Sequence, residues 1–208
     1  MKKLKILLLA ILLLPSIVFA KSNYQYDEKL NLEGKYNATT FFGGEKVNSE
    51  SELNGISFML GTEINLEGKI DYAVHVAEDL TLDGIIKNDA FMMTSKQITI
   101  SGEIKRDAYL FSDNIYIDGI INRNLFAYSS TMKIENATIN GNLYLRATQI
   151  EFGKNVKVNG KIKYNSNAII KGEKNIKDIK TETYDIIPLL LLPPLYFCII
   201  LELLNVKS

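Results

Sequence analysis

Residues 64–68 read INLEG, 80–84 LTLDG, 98–102 ITISG and 115–119 IYIDG. One five-residue phrase, apolar–x–apolar–x–Gly, recurs along the chain. Its glycines, Gly68, Gly84, Gly102 and Gly119, are 16, 18 and 17 residues apart, and Asn136 follows 17 later in KIEN. Asparagine is the non-glycine residue best suited to a left-handed backbone, so the replacement predicts a corner that needs positive φ. Repeats of this length are read before any local structure, because they decide the fold.

A second register runs beside the first. SFML (57), AVHV (73), AFMM (90), AYLF (108), LFAY (125) and LYLR (143) occupy one equivalent slot. TTFF (39–42) fits one period earlier and KIKY (161–164) one later, while LNLEG (30–34) opens the phrase series. Gly160 extends the corner series, and the copy from Asn136 to Gly141 is expected to bulge by about one residue.

Within each copy the apolar residues alternate. Ile64 and Leu66, Leu80 and Leu82, Ile98 and Ile100, and Ile115 and Ile117 are spaced by two, which is strand periodicity. Strands this short gain pairing and a core only as stacked rungs. The expectation is an all-β, right-handed parallel β-helix of about seven to eight rungs of 16–19 residues over 30–170, with those eight aliphatics as its core column. A left-handed hexapeptide coil wants one aliphatic residue every six positions, and the paired spacing does not fit it.

The two ends differ from the middle. Lys2, Lys3 and Lys5 precede the apolar run 7–14, and Val18-Phe19-Ala20 is a small-residue cleavage site, so 1–20 reads as a secretory signal peptide. The alternative is an uncleaved anchor. Residues 186–204 are apolar apart from Glu202 and long enough to cross a bilayer, with Lys207 just beyond them. That predicts a transmembrane segment joined to the repeats by a linker, 171–185, and a lead-in at 21–29. The expected location is extracytoplasmic, anchored in the cytoplasmic membrane.

The charge balance excludes one broad class. With Lys+Arg 24 and Asp+Glu 24, the chain lacks the basic footprint of a nucleic-acid binder. Its one cysteine, Cys198, and one histidine, His75, leave no Cys- or His-based metal centre and no disulfide framework. The spacing puts His75 inward beside Met59, Met92, Leu110, Ala127 and Leu145, with no serine, cysteine or second histidine to complete a catalytic set. No catalytic residue, cofactor or metal is therefore expected.

Outward positions form ladders. Glu67, Asp83, Ser101, Asp118 and Glu135 read as a solvated acidic face, since a calcium-binding repeat of the Gly-Gly-x-Gly-x-Asp type is missing. Asp89, Asp107, Asn124 and Asn142 are expected to satisfy backbone groups at a turn. Arg106 and Arg123 should stack, paired with the acids or binding an anionic surface polymer. Asn23–Glu28 and Lys171–Lys180 are candidate caps that would leave a monomer on a stalk.

The succession FFGGEKVN, SFMLGTEINLEGKI, AVHVAEDLTLDGII, AFMMTSKQITISGEI, AYLFSDNIYIDGII and NGNLYLRATQIEF resembles the bactofilin, or polymer-forming cytoskeletal, family over roughly 30–170. The resemblance implies a right-handed β-helix that polymerises end to end without nucleotide and scaffolds envelope processes. The signal peptide and anchor bring the chain closer to an exported, membrane-anchored branch. The partners so implied are further copies of the chain, the membrane, and cell-wall polysaccharide or envelope proteins. A different reading is a cell-surface glycan-binding, or glycan-cleaving, β-helix that uses outward tyrosines such as Tyr109, Tyr116 and Tyr144.

Overall fold

The computed structural model describes residues 22–176 and 178–184. The expected signal peptide and transmembrane segment lie outside them. Among the described residues no helix is long and apolar enough to cross a membrane.

The chain winds into an all-β parallel solenoid of about nine turns. Every strand pairing is parallel and joins a strand to its equivalent one turn away. Three ladders result. Sheet A holds the slot strands, from Ser22–Tyr26 through Ala108–Phe111 to Thr181–Tyr184. Sheet B holds the phrase strands, among them Lys29–Leu32, Asn114–Ile117 and Gln149–Phe152. Sheet C holds two-residue strands such as Ile85–Ile86 and Ile120–Ile121. Early turns run sheets A and B together as one strand, as in Ala90–Ile100, and Glu52–Leu66 takes in sheet C as well, whereas later turns break between them.

Alternation in sequence becomes burial in the rod. Ile64, Leu66, Leu80, Leu82, Ile98, Ile100, Ile115 and Ile117 all lie inside, each exposing 2% or less of its surface. They stack in the two inward columns of sheet B, with Ile64 opposite Leu80 and Leu66 opposite Leu82 in adjacent turns. Ile70, Ile86, Ile104, Ile121 and Ile139 supply the wall of sheet C. The solenoid thus has one continuous apolar column whose stabilisation comes from burial of many aliphatic side chains in turn-to-turn contact.

The corner glycines differ from expectation. Gly68, Gly84, Gly102, Gly119 and Gly160 do not have left-handed φ. They are required by closeness instead. A Cβ on Gly84 would sit 2.2 Å from the carbonyl oxygen of Gly68, and one on Gly102 would sit 2.1 Å from that of Gly84. Each glycine lies against the backbone of the turn before it. Positive φ occurs at Asn136 (50°) and at Gly34 (79°), where a Cβ would meet nothing within 4 Å. At Asn136 the expected extra residue is visible. Ile117 pairs with Ile134, 17 residues on, but Ile120 pairs with Thr138, 18 on.

The strands reach past 30–170 at both ends. Asn23–Tyr26 forms a rung paired with Thr40–Gly43, so it is not a cap, and Thr181–Tyr184 pairs with Ile162–Asn165. The inward positions of these end rungs are polar: Asn23 and Gln25 align with Thr40 and Phe42, and Thr181 aligns with Ile162. Between Ile169–Lys171 and Thr181–Tyr184, within the candidate cap Lys171–Lys180, the chain makes a short 3-10 turn at Glu173–Asn175, lays buried Ile176 on the core and packs half-buried Ile179 against it.

Candidate functional site

The inner positions hold one hydrogen-bonded pair of catalytic type. His75 Nε2 lies 3.2 Å from Ser57 Oγ, contrary to the expectation that no serine is near. Ser57 opens its slot where the following turns place Ala73, Ala90 and Ala108, and that departure was the available signal. Both residues are fully buried, and burial holds the imidazole neutral, pulling its pKa down to about 3. His75 Nδ1 has no hydrogen-bond partner, so no acid orients the ring. A substrate cannot reach this pair, and a base with so low a pKa does not work near neutral pH. It is a core contact.

The polar ladders are built for structure. Asp107 Oδ1 accepts the backbone N–H of Asn124 at 2.9 Å, Asn124 Oδ1 accepts that of Asn142, and Asn142 Oδ1 accepts that of Lys161. Each side chain thereby satisfies the next turn's corner. Asn31, Asn48 and Asn65 form an amide ladder at 2.8 and 3.0 Å, and Asn122, Asn140 and Asn159 form another at 2.8 Å per step. Arg106 and Arg123 pair with Asp89 and Asp107 at 3.5 and 3.4 Å. In the acidic column Ser101 Oγ donates to Asp83, and Lys133 clamps Glu135 at 2.6 Å, holding that carboxyl below its usual pKa. Among the described residues no cluster of three His, Cys, Asp or Glu side chains is placed to hold a metal ion.

The outward side of sheet A is unlike the rest. One column runs Tyr24, Phe41, Phe58, Val74, Phe91, Tyr109, Phe126 and Tyr144, and its neighbour runs Tyr26, Gly43, Leu60, Val76, Met93, Phe111 and Tyr128. None of these side chains is charged. Tyr26 is 83% exposed, Tyr24 56% and Leu60 55%. The Tyr26 ring lies on Gly43, covering the backbone that glycine bares, since a Cβ there would be 3.0 Å from the ring.

The rings stack along the rod axis. Tyr24–Phe41, Phe41–Phe58, Tyr109–Phe126 and Phe126–Tyr144 have centroids 5.1, 4.8, 4.9 and 4.7 Å apart and planes within 9°. The rung spacing imposes this, and it leaves Phe126 only 8% exposed on an outward face. A ring inside the stack, such as Phe126 between Tyr109 and Tyr144, has both faces covered and turns only its edge to solvent. Tyr144 carries Phe126 on one side and Lys163 Nζ 5.8 Å above its ring, and Tyr116 carries Lys133 Nζ at 5.7 Å. The tyrosines proposed as sugar platforms therefore each have a ladder neighbour on the ring, Phe126 at Tyr109, Lys133 at Tyr116, and Phe126 with Lys163 at Tyr144.

Beyond Tyr144 the column turns ionic. Glu182 gathers Lys161, Lys163 and Lys180 at 2.9, 3.2 and 3.6 Å, and the ammonium groups of Lys161 and Lys163 hold its carboxyl down at a pKa of about 2. Comparisons with protein-family models, with curated proteins and with solved structures give no match for this chain.

Proposed function

We propose that the protein is a non-enzymatic scaffold of the bacterial cell envelope, a right-handed β-helix of bactofilin type tethered to the membrane and self-assembling end to end. The observation that carries this reading is the state of the rod's ends. Among the described residues the strands Ser22–Tyr26, Lys29–Leu32 and Lys35–Tyr36 each have one strand partner, as do Lys157–Val158, Ile169–Lys171 and Thr181–Tyr184 at the other end. A strand with a free edge is a template for another strand, and a second solenoid offers three of them in the matching arrangement.

Polar inward residues at the end rungs suit a junction that also survives in water. Asn23 and Gln25 at one end and Thr181 and Thr183 at the other can hydrogen-bond across it. The tether and the extracytoplasmic location rest on the sequence of 1–20 and 186–204. The sealed Ser57–His75 pair supports a role without chemistry. The occupied tyrosine rings count against the glycan-binding reading, because sugars stack on open ring faces.

Electron microscopy of the purified full chain tests the proposal. Filaments with the rod's repeat along their axis are expected. Separate rods at every salt and protein concentration would overturn it.

A further inference from the structure

We infer that the C-terminal end of the rod is a docking face for an anionic lipid surface, which it meets with the lysines of its last turns. The inference rests on the reading of 186–204 as a membrane segment. Charge is divided unevenly along the rod. Residues 22–142 carry 18 acidic and 10 basic side chains, whereas 143–184 carry 4 acidic and 9 basic ones. The balanced total hides an acidic shaft and a basic tip.

Register puts lysines on every side of that tip. Among the described residues Lys157 and Lys171 lie on the last strands of sheets C and B, Lys180 directly precedes the last strand of sheet A, and Lys174 sits in the 3-10 turn between. All four are exposed. Lys157, Lys171 and Lys174 hold no ion pair among the described residues, nor does Lys154 at the corner before them. Lys161, Lys163 and Lys180 share one carboxylate, Glu182, so that cluster keeps a net positive charge. Glu151, Glu173 and Asp178 are the other acids of these turns.

The core opens at the same place. Tyr164, Ile170 and Ile179 are only half-buried, and Ile169 is 58% exposed. A hollow of about 430 Å³ lies between Tyr164, Glu173, Lys174, Ile176, Ile179 and Thr181. An apolar floor with a basic rim suits the boundary of a bilayer, where hydrocarbon meets phosphate.

Position selects lipid over other anions. Asp185 alone separates the strand Thr181–Tyr184 from 186–204. An extended residue spans about 3.5 Å, so the end rung lies within about 10 Å of the lipid, close to the screening length in physiological salt. The lysines there feel the headgroup charge. The acid-rich turns before them are repelled by it, which favours contact through the tip over contact along a flank. A docked rod offers only the end formed by 22–36 for stacking.

The test uses the full chain, carried from detergent into vesicles of phosphatidylcholine alone or with about one-quarter phosphatidylglycerol, at few chains per vesicle. Flotation is read first, then the acetylation rate of each lysine by a neutral reagent, with Lys29, Lys69 and Lys105 as internal references. Flotation with both lipids is expected. Lys154, Lys157, Lys171 and Lys174 should react about fivefold more slowly in the anionic vesicles, and the difference should vanish at about 0.5 M salt. Equal rates in the two lipids overturn the docking, and rates that fall in both as chains crowd the vesicle assign the end to a second rod. In a Lys157→Glu, Lys171→Glu, Lys174→Glu variant with an unchanged β-sheet circular dichroism spectrum, Lys154 and Lys180 should react alike in both lipids. Slowing that persists there reflects nearness to the bilayer alone and also overturns the docking. Should that variant not fold, the parent's lipid difference decides. Flotation with neither lipid overturns docking and tether together. Flotation with the anionic vesicles only, lost in salt, supports the docking and sinks the tether.

Discussion

The imidazole of His75 meets the hydroxyl of Ser57 across one turn of the solenoid, 3.2 Å apart and sealed from water. The folded pKa, about 3, lies below the free value of 6.5. Between those values the unfolded chain binds the extra proton, so stability is full above pH 6.5 and is lost as pH falls toward 3. The loss is about 1.4 kcal/mol per pH unit. His75→Met, matching Met59 and Met92 in the same column, should be less stable at pH 7 and close the gap on acidification. Thermal unfolding of both proteins at pH 7 and pH 4.5 checks this. A gap independent of pH would refute the buried neutral histidine.

Gly84→Ala should destabilise by about 2–4 kcal/mol, because its Cβ meets fixed backbone at 2.2 Å. Gly34→Ala meets nothing within 4 Å and bears only the strain of φ 79°, about 1 kcal/mol. Asn136→Gly should be neutral to slightly stabilising. The order of the three melting temperatures is the readout.

Ile120 and Ile121 are neighbours with opposite fates, 43% and 0% exposed. Ile121→Ala should cost about 2–5 kcal/mol, and Ile120→Ser less than about 0.5 kcal/mol. Denaturant unfolding of the two variants tests the register of sheet C directly.

Asp107 bonds both the backbone N–H and the side-chain amide of Asn124, each at 2.9 Å. Asp107→Ala should cost about 1–3 kcal/mol by orphaning a partly buried donor, and Asp107→Asn should recover most of it. Hydrogen exchange at the Asn124 amide, faster in the alanine variant alone, is the local check.

The rod was legible because period and alternation coincide: Ile98 and Ile100 announce an inward pair, and the phrase returns often enough to fix the stacking. The ends were less legible. Asn23, Gln25, Thr181 and Thr183 occupy inward positions with polar side chains, so alternation stops before the strands do. The reason for Gly84 was also hidden, since a sequence cannot separate a glycine needed for its φ from one needed for its missing Cβ. The Ser57–His75 contact joins slots in two turns and becomes visible only once their register is known. The apolar face is hidden in the sequence because AFMM and AYLF read as core on both sides of the strand, whereas Phe91, Met93, Tyr109 and Phe111 face out.

The corner at Asn136 and Ala137 takes up an added residue, and the next corner, at Gly153–Val156, takes up another: Phe152 pairs with Ile134, 18 back, but Val158 with Ile139, 19 back. In both places the columns resume on the far side as though nothing had been added. This corner is the rod's splice point. A foreign loop set between Lys154 and Asn155 would ride outside the coil as cargo, one to each rod, with no inward residue displaced.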